Sequence, residues 1–236
     1  HLSTSDILIT TNITPNMLHV ILHVQSTISL TGCITQFYFH GLSSSSETLF
    51  LTVMSYDRYL AICKPLHYTS IMDIWLCLYL AVWSWILSCT VSMLIASLIH
   101  QLVFCGPHII DHYFCDFIPL LQLSCSDSTI VKMTVIVLSI PLVILPLSSI
   151  FYTYISIFIT ISRISTSSGK LKSFSTCSSH LIVVSIYYGT LITIYMAPSN
   201  NSAFNINKSI SLLYTVGTPL FNPIIYCLRN NDIKNA

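Results

Sequence analysis

Charged residues leave long uncharged intervals along the chain, and these intervals define its predicted elements. No Asp, Glu, Lys or Arg lies inside the intervals 7–46, 74–110, 133–162, 173–207 and 209–228. About 20 apolar residues span the roughly 30 Å hydrocarbon core of a bilayer, so each interval predicts at least one transmembrane helix. The first interval holds parts of two, separated near residues 23–29. The predicted helices cover approximately residues 2–23, 28–58, 74–99, 132–162, 173–197 and 208–228, with a large outer loop over 100–131.

Nothing in the chain alternates in the ten-residue strands of a membrane β-barrel, so helices are the structure that satisfies the backbone in lipid. Composition agrees, since 53% of the residues are hydrophobic and 7% are charged, against roughly 25% charged in soluble domains. The mean hydropathy is +0.76 and the net charge is +1. These values exclude a disordered chain, an ordinary cytosolic domain and a nucleic-acid-binding protein. We therefore predict an all-α membrane protein with one transmembrane domain over residues 1–236.

The basic residues also predict an orientation. Seven of the nine Lys and Arg residues lie on the side that holds residues 58–73, 163–172 and the tail after 229, and the positive-inside rule makes that side cytoplasmic. The chain does not begin with Met and has no basic signal-peptide start, so we expect a fragment that lacks an upstream helix. Four cysteines, Cys33, Cys105, Cys115 and Cys125, lie on the opposite, oxidising side, where three pairings are open to them.

Two acids, Asp6 and Glu47, lie within predicted membrane spans, where a carboxylate is costly. Facing one bundle interior, the pair would bind a cation or share a proton. The alternative is that Ser or Asn neighbours simply hydrogen-bond each acid. In the outer loop, His112, Cys115 and Asp116 have a spacing that suits Zn²⁺ or Cu²⁺, unless Cys115 is oxidised and so cannot be a thiolate ligand.

One longer run carries the most specific signal. Residues 54–68 read MSYDRYLAICKPLHY, which closely resembles the signature of vertebrate odorant receptors, a branch of the rhodopsin-like G-protein-coupled receptors. Residues 172–181 (KSFSTCSSHL) are similar to the start of the family's sixth helix, although Ser173 stands where Ala is usual. Residues 219–226 (PLFNPIIY) resemble its seventh helix. Tyr154 fits the fifth-helix Tyr of the family, although Thr153 replaces the expected Ser.

The resemblance implies a seven-transmembrane-helix receptor bundle, of which six helices are present in this fragment. It implies activation of a heterotrimeric G protein of the stimulatory type, which raises cAMP, in the plasma membrane of sensory neuron cilia. It also implies the disulfides Cys33–Cys115 and Cys105–Cys125. It aligns Asp6 with an acid that binds sodium in many rhodopsin-like receptors, which makes Asp6 and Glu47 candidate ligands of Na⁺; no other cofactor is expected. The residues expected to couple or switch are Asp57, Arg58, Tyr59, Tyr154, His180, Asn222, Pro223 and Tyr226.

A ligand pocket follows from the same resemblance. Gln36, His40, Ser44 and Glu47 share one helix face, and in related receptors this helix walls the cavity together with the fifth and sixth helices. Gly41 leaves room beside His40. The set is mostly apolar with a few hydroxyls, which suits a small volatile odorant with one polar group. The expected ligand-binding residues are His40, Gly41, Ser44, Ser45, Leu138, Leu142, Tyr188, Leu191 and Tyr195.

Three alternatives remain open at this stage. They are a rhodopsin-like receptor for a non-odorant small molecule, a small transporter or channel subunit, and an inactive partial or pseudogene product. Transporters often show repeated halves, and this sequence shows none, so the transporter is disfavoured. No catalytic motif is present, and we predict that the protein is not an enzyme. The expected partners are an odorant, a G protein and the bilayer, without nucleic acid.

Overall fold

The computed structural model describes residues 1–23, 27–105, 109–110, 112–196 and 213–222. Five long helices form a bundle, and shorter helical pieces connect them. The long helices are α1 (Leu2–Leu22), α2 (Leu30–Cys63), α4 (Ile74–His100), α6 (Thr129–Ser162) and α7 (Ser167–Met196). The short ones are a 3₁₀ turn (Pro65–His67), α3 (Tyr68–Ile71), α5 (Phe117–Gln122) and a π-helical turn (Leu213–Gly217) that runs into helical residues 218–222.

Two of the helix boundaries differ from the predicted ones. The second predicted helix ends near residue 58, whereas α2 continues to Cys63. The charges of Asp57 and Arg58 mark the edge of the apolar span, but nothing there breaks a helix until Pro65, which disfavours helical geometry at Lys64. Similarly, α7 begins at Ser167 rather than near 173, because Lys170 and Lys172 limit the membrane span and not the helix. The last predicted helix, 208–228, is described only over 213–222.

Polar caps start two of the long helices. The hydroxyl of Ser29 accepts the N–H of Gly32 at the start of α2, and the carboxylate of Asp73 accepts the N–H of Leu76 at the start of α4. Each cap satisfies one of the backbone donors that a helix start leaves unpaired.

The helix α2 is the centre of the bundle. It packs against α1, α4 and α6 along its length and also contacts α7. An outer apolar cluster includes Phe37 of α2 and Ile99 of α4. A second cluster joins Leu51 of α2 to Ile150 of α6 and Val183 of α7. Most of the candidate ligand, ion and switch residues described below lie on α2 or on a helix that contacts it.

Two of the described helices, α4 and α6, are long and apolar enough to cross a membrane by length and composition. Their outward faces carry large exposed apolar side chains such as Trp83 and Phe158. The helices α1, α2 and α7 carry more polar residues, among them Asp6, Glu47 and His180, and these three side chains are buried inside the bundle. Apolar groups therefore face outward and polar groups inward, as a lipid environment requires.

Two disulfides hold the outer loop. Cys33 near the start of α2 is joined to Cys115, with Cα atoms 5.4 Å apart. Cys105 is joined to Cys125, with Cα atoms 5.9 Å apart. These are the pairs that the family resemblance implies. The side-chain oxygen of Gln36 also accepts the N–H of Cys115 at 2.9 Å, so α2 holds the loop by a covalent bond and a hydrogen bond at the same point.

Candidate ligand, ion and switch sites

The two membrane acids meet inside the bundle. The side-chain nitrogen of Asn222 donates to Oδ1 of Asp6 at 3.0 Å and lies 3.4 Å from Oε1 of Glu47. All three side chains are buried. Close by, the hydroxyls of Ser5 and Ser46 are 2.9 Å apart, which links α1 to α2. Sequence reasoning singled out the acids but not the serines, and Asn222 only as a switch residue.

The oxygen atoms of this cluster suit a cation. The Oδ1 atom of Asn222 is buried and has no hydrogen-bond partner among the described residues. Together with the two carboxylates it gives three oxygen ligands, the kind that hard cations prefer. A buried acceptor without a partner costs about 1–3 kcal/mol, and an ion held by all three groups would remove that cost.

Two of the predicted ligand residues, Tyr188 and Leu191, lie where α2, α6 and α7 meet. Tyr188 is buried, and Leu191 packs against the cluster of α2, α6 and α7 residues around Leu51. Leu138 packs against the outer cluster, while Ser45 and Leu142 are half-buried. The side chain of Tyr195 lies outside the described residues.

Two hydroxyls in this region are buried without a partner among the described residues, the Oγ of Ser44 and the OH of Tyr188. The surrounding side chains are mostly apolar. The ring of His40 lies 5.1 Å from the ring of Phe114 in the outer loop, so the loop closes this region from above. The arrangement offers hydrogen-bonding groups inside an apolar environment, which is how small-molecule pockets are built.

Gly41 lies at the contact between α2 and α4. A Cβ atom at this position would lie 3.2 Å from the hydroxyl of Ser92 on α4. The missing side chain therefore makes room for α4, and the space beside Gly41 is filled by protein. Helix packing therefore accounts for a glycine at this position, and the ligand contact predicted for Gly41 stays a prediction.

The predicted coupling residues lie at the cytoplasmic end of α2. Arg58 and Asp57 form an ion pair at 3.1 Å. Tyr68, in the short helix α3, donates its hydroxyl to the carboxylate of Asp57 at 2.9 Å. This hydrogen bond raises the pKa of Tyr68 above its ordinary value near 10, so the phenol remains a donor at physiological pH. Sequence reasoning missed Tyr68, although it closes the motif over 54–68.

A second group of polar contacts joins three helices deeper in the bundle. The hydroxyl of Tyr154 on α6 is 2.7 Å from Nδ1 of His180 on α7, and Nε2 of His180 is 3.0 Å from the carbonyl of Leu51 on α2. Because a carbonyl only accepts, Nε2 carries the hydrogen, and in the neutral ring Nδ1 accepts from Tyr154. One imidazole therefore connects α6, α7 and α2.

A further contact of this kind was missed in the sequence. The hydroxyl of Tyr187 donates to the carbonyl of Ser44 at 2.9 Å and contacts the hydroxyl of Thr48. The available signal was only that Tyr187 neighbours Tyr188 in an apolar run. Of the remaining predicted switch residues, Tyr59 is half-buried beside Tyr56, while Pro223 and Tyr226 lie outside the described residues.

A separate cleft of about 520 Å³ opens between α2, α4 and α6. It contains none of the predicted ligand residues, and Tyr59 is the one predicted switch residue that lines it. Its lining is Thr52, Val53, Ser55, Tyr56, Tyr59, Leu80, Ser148, Ser149, Tyr152 and Thr153.

The Zn²⁺ or Cu²⁺ alternative in the outer loop is not supported. Cys115 is disulfide-bonded and so is not a thiolate ligand. The Nδ1 atom of His112 is 3.1 Å from the carbonyl of Phe114. Among the described residues, no three or more His, Cys, Asp or Glu side chains gather as a metal site.

Comparison with known proteins gives one family. The family model described as "Olfactory receptor" matches residues 1–236. The chain is 44% identical over its whole length to Olfactory receptor 10A7 of Homo sapiens and 45% identical to Olfactory receptor 5G29 of Mus musculus, and it covers 75% of each relative. It is 48% identical over 89% of its length to Olfactory receptor 226 of Rattus norvegicus, covering 64% of that protein. The chain therefore belongs to the olfactory receptor family, whose members are non-enzymatic, multi-pass membrane receptors of the rhodopsin-like, G-protein-coupled class with a seven-helix fold.

Proposed function

We propose that this receptor binds small, mostly apolar odorants that carry one polar group, between α2, α6 and α7. The observation that carries the proposal is the pair of buried hydroxyls on Ser44 and Tyr188 without a partner among the described residues. Leaving such groups unpaired costs about 1–3 kcal/mol each, and one hydroxyl, carbonyl or ester oxygen on a ligand removes part of that cost. No Lys or Arg belongs to the predicted pocket, so a carboxylate ligand would lack a strong counter-ion.

The test compares odorants that differ only in the polar group. In cells that express the receptor, we expect Ser44→Ala and Tyr188→Phe to raise the half-maximal concentration of alcohols or ketones about 2–10-fold, the equivalent of one hydrogen bond of about 0.5–1.5 kcal/mol. The wild type and the variants should respond equally to hydrocarbons of the same length. The matched control is Ser97→Ala on the exposed face of α4. An equal loss for polar and apolar odorants would contradict the proposed contact.

We further propose that binding activates a stimulatory G protein and raises cAMP in the cilia of sensory neurons. Support comes from the cytoplasmic end of α2, where Asp57 and Arg58 form a partly exposed ion pair. Tyr68 donates a hydrogen bond to the carboxylate of Asp57. The His180 contacts join the helices of the pocket region, α6 and α7, to α2. A shift of either helix on ligand binding is thus transmitted to the helix that carries Arg58.

The test of coupling is Arg58→Ala. We expect the variant to lose ligand-driven cAMP while it still reaches the cell surface, because the side chain is partly exposed and its ion pair is with the neighbouring Asp57 at the cytoplasmic end of α2. The control is Lys64→Ala, a cation one and a half turns further along the same cytoplasmic segment. Normal signalling by Arg58→Ala would contradict its assignment as the coupling residue.

Finally, we propose that Asp6, Glu47 and Asn222 hold one Na⁺ that stabilises the resting receptor. The three oxygen-bearing side chains are buried together, and the unpartnered Oδ1 of Asn222 adds a neutral ligand to two acids. The alternative arrangement is a single proton shared by the two carboxylates. Both arrangements remove charge from the membrane interior, and the sodium dependence discussed below distinguishes them.

A further inference from the structure

Two histidines stand together at the outer end of α1. His19 lies in the last turn of the helix and His23 is its C-terminal cap. Their ring centres are 4.3 Å apart, with the planes inclined by 20°. Both side chains are exposed. A spacing of four residues places side chains on one helix face, so the two imidazoles meet in solvent on the side of the membrane that the loop charges identify as extracellular.

A hydrogen bond fixes the chemical form of one ring. The Nδ1 atom of His23 lies 3.1 Å from the carbonyl oxygen of His19. Since the carbonyl only accepts, Nδ1 carries the hydrogen, and in the neutral imidazole the lone pair is on Nε2. A ligating histidine typically donates its other ring N–H to a carbonyl or carboxylate in this way, which orients the ring and raises its basicity.

We propose that His19 and His23 bind one divalent late transition-metal ion, Cu²⁺ or Zn²⁺, at the outer surface. Imidazole nitrogen is the preferred protein ligand of both ions, and paired histidines at positions i and i+4 of a helix are an established zinc-binding arrangement. The Nε2 atom of His23 is already available, and rotation of the exposed His19 ring brings its own nitrogen to the same ion. Water completes the coordination.

The surroundings favour a dipositive ion. No Lys or Arg lies between residue 1 and residue 57, so no cation is close in sequence to repel the metal. Two residues before His19, Met17 packs against the cluster formed by Ile9, Ile13 and Phe114. An ion that bridges the last turn of α1 therefore stiffens the end of the helix that supports the outer loop. This inference does not depend on which odorant the receptor binds.

The experiment is a titration of the purified receptor with Cu²⁺ and, separately, with Zn²⁺, followed by competition against a chelator of known affinity. We compare wild type with His19→Ala and His23→Ala. Loss of an outer-shell partner typically weakens metal affinity about 10–100-fold. Loss of a direct ligand should weaken the affinity for one equivalent of metal by at least as much. The two single variants should lose the same equivalent. Retention of that equivalent by either variant overturns the proposal.

Three controls separate this site from other histidines. His100→Ala removes a single exposed histidine from the outer end of α4, and His108→Ala and His112→Ala, combined in one variant, remove the other two histidines of the outer loop. Both variants should keep the equivalent that His19→Ala loses. The double change His19→Ile with Ile21→His keeps the composition but leaves the two imidazoles two residues apart, a spacing at which helical side chains do not face each other, and it should also lose the metal. A loss that follows His112 instead of His19 would place the ion in the loop and refute the assignment.

Discussion

Asn222 shows how single residues make buried charge tolerable in this bundle. A carboxylate near mid-membrane costs at least about 2.5–3.5 kcal/mol on insertion scales. Glu47 lies eleven residues before Arg58, which is about 16 Å along a helix. The amide nitrogen of Asn222 donates to Asp6 and lies near Glu47, and its buried oxygen has no partner among the described residues. One amide thus serves the acids of two helices, and its removal affects both.

The first prediction concerns the ion proposed at this cluster. Glu47→Gln keeps the shape of the side chain but removes one charge, so bound Na⁺ should no longer stabilise the resting state. We expect basal cAMP to rise and its dependence on external Na⁺ to disappear, while the order of odorant potencies stays the same. Basal signalling measured over a series of Na⁺ concentrations, with choline as replacement, provides the readout.

The control acid is Asp127 in the outer loop. Its carboxylate accepts hydrogen bonds from the backbone and hydroxyl of Thr129, which lower its pKa, so it is charged at neutral pH but lies outside the membrane. Asp127→Asn should leave the sodium response intact. Unchanged basal activity with altered odorant preference in Glu47→Gln would instead make Glu47 part of the ligand pocket. A wild-type receptor that responds to pH but not to Na⁺ would favour the shared proton.

At the scale of elements, the contact between α2 and α4 depends on Gly41. The hydroxyl of Ser92 occupies the position that a side chain would need, and Ser92 is itself buried. Small residues at helix contacts let backbones approach closely in membranes, where packing rather than the hydrophobic effect holds helices together. The close approach of α4 to the central helix is therefore sensitive to volume at this one position.

The second prediction uses one substitution at two glycines. Gly41→Leu forces a side chain against Ser92, and overpacking of this kind costs about 1–3 kcal/mol. Gly189→Leu on α7 meets nothing within 4 Å at its Cβ and replaces a poor helix former by a good one. We expect Gly41→Leu to lower the melting temperature of the purified receptor and Gly189→Leu to leave it unchanged or higher. Equal destabilisation by both substitutions would contradict the role of Gly41 in the contact between α2 and α4.

The charge pattern predicted elements better than it predicted contacts. The predicted spans 74–99 and 132–162 lie close to α4 (Ile74–His100) and α6 (Thr129–Ser162). Asp73 caps the start of α4 and Arg163 follows the end of α6, so at these two ends the charge coincides with the helix boundary. Charge marks a membrane edge but not a helix end, so α2 and α7 run further than predicted. Residue type identified Asp6 and Glu47. The third member, Asn222, is 175 residues from Glu47, and only tertiary packing brings them together.

The same limit applies to the pocket. A helical-face pattern selects Ser44, and the family resemblance adds Tyr188, but neither tells whether a hydroxyl already has a partner. That depends on the neighbouring helices: Tyr187 donates to the carbonyl of Ser44, while the Ser44 hydroxyl has no partner among the described residues. Gly41, one turn earlier, belongs to the α4 contact for the same reason. The helical period identifies which residues share a face of α2. The packing of the neighbouring helices determines whether a residue on that face contacts another helix or remains available to a ligand.

At the scale of the whole molecule, the outer loop is attached to the bundle at several points. The Cys33–Cys115 bond and the hydrogen bond of Gln36 fix it to α2, and Phe114 packs against Ile9 and Ile13 of α1. The Cys105–Cys125 bond acts within the loop itself, where backbone pairing also joins Cys125 to Val103. One disulfide therefore anchors the loop, whereas the other shapes it.

The last prediction follows from this difference. The bridges span 82 and 20 residues, and the chain-entropy relation gives about 4.5 and about 3.3 kcal/mol for loops of these lengths. We expect the double variant Cys33→Ser/Cys115→Ser to lower the melting temperature more than Cys105→Ser/Cys125→Ser, and to weaken odorant responses because the loop above His40 is released from α2. Replacing both partners avoids a stray thiol, and Cys77→Ser on α4 controls for the loss of a free cysteine. Peptide mapping without reduction checks the pairs directly, and the finding of Cys33 linked to Cys105 or Cys125 would contradict this account of the loop.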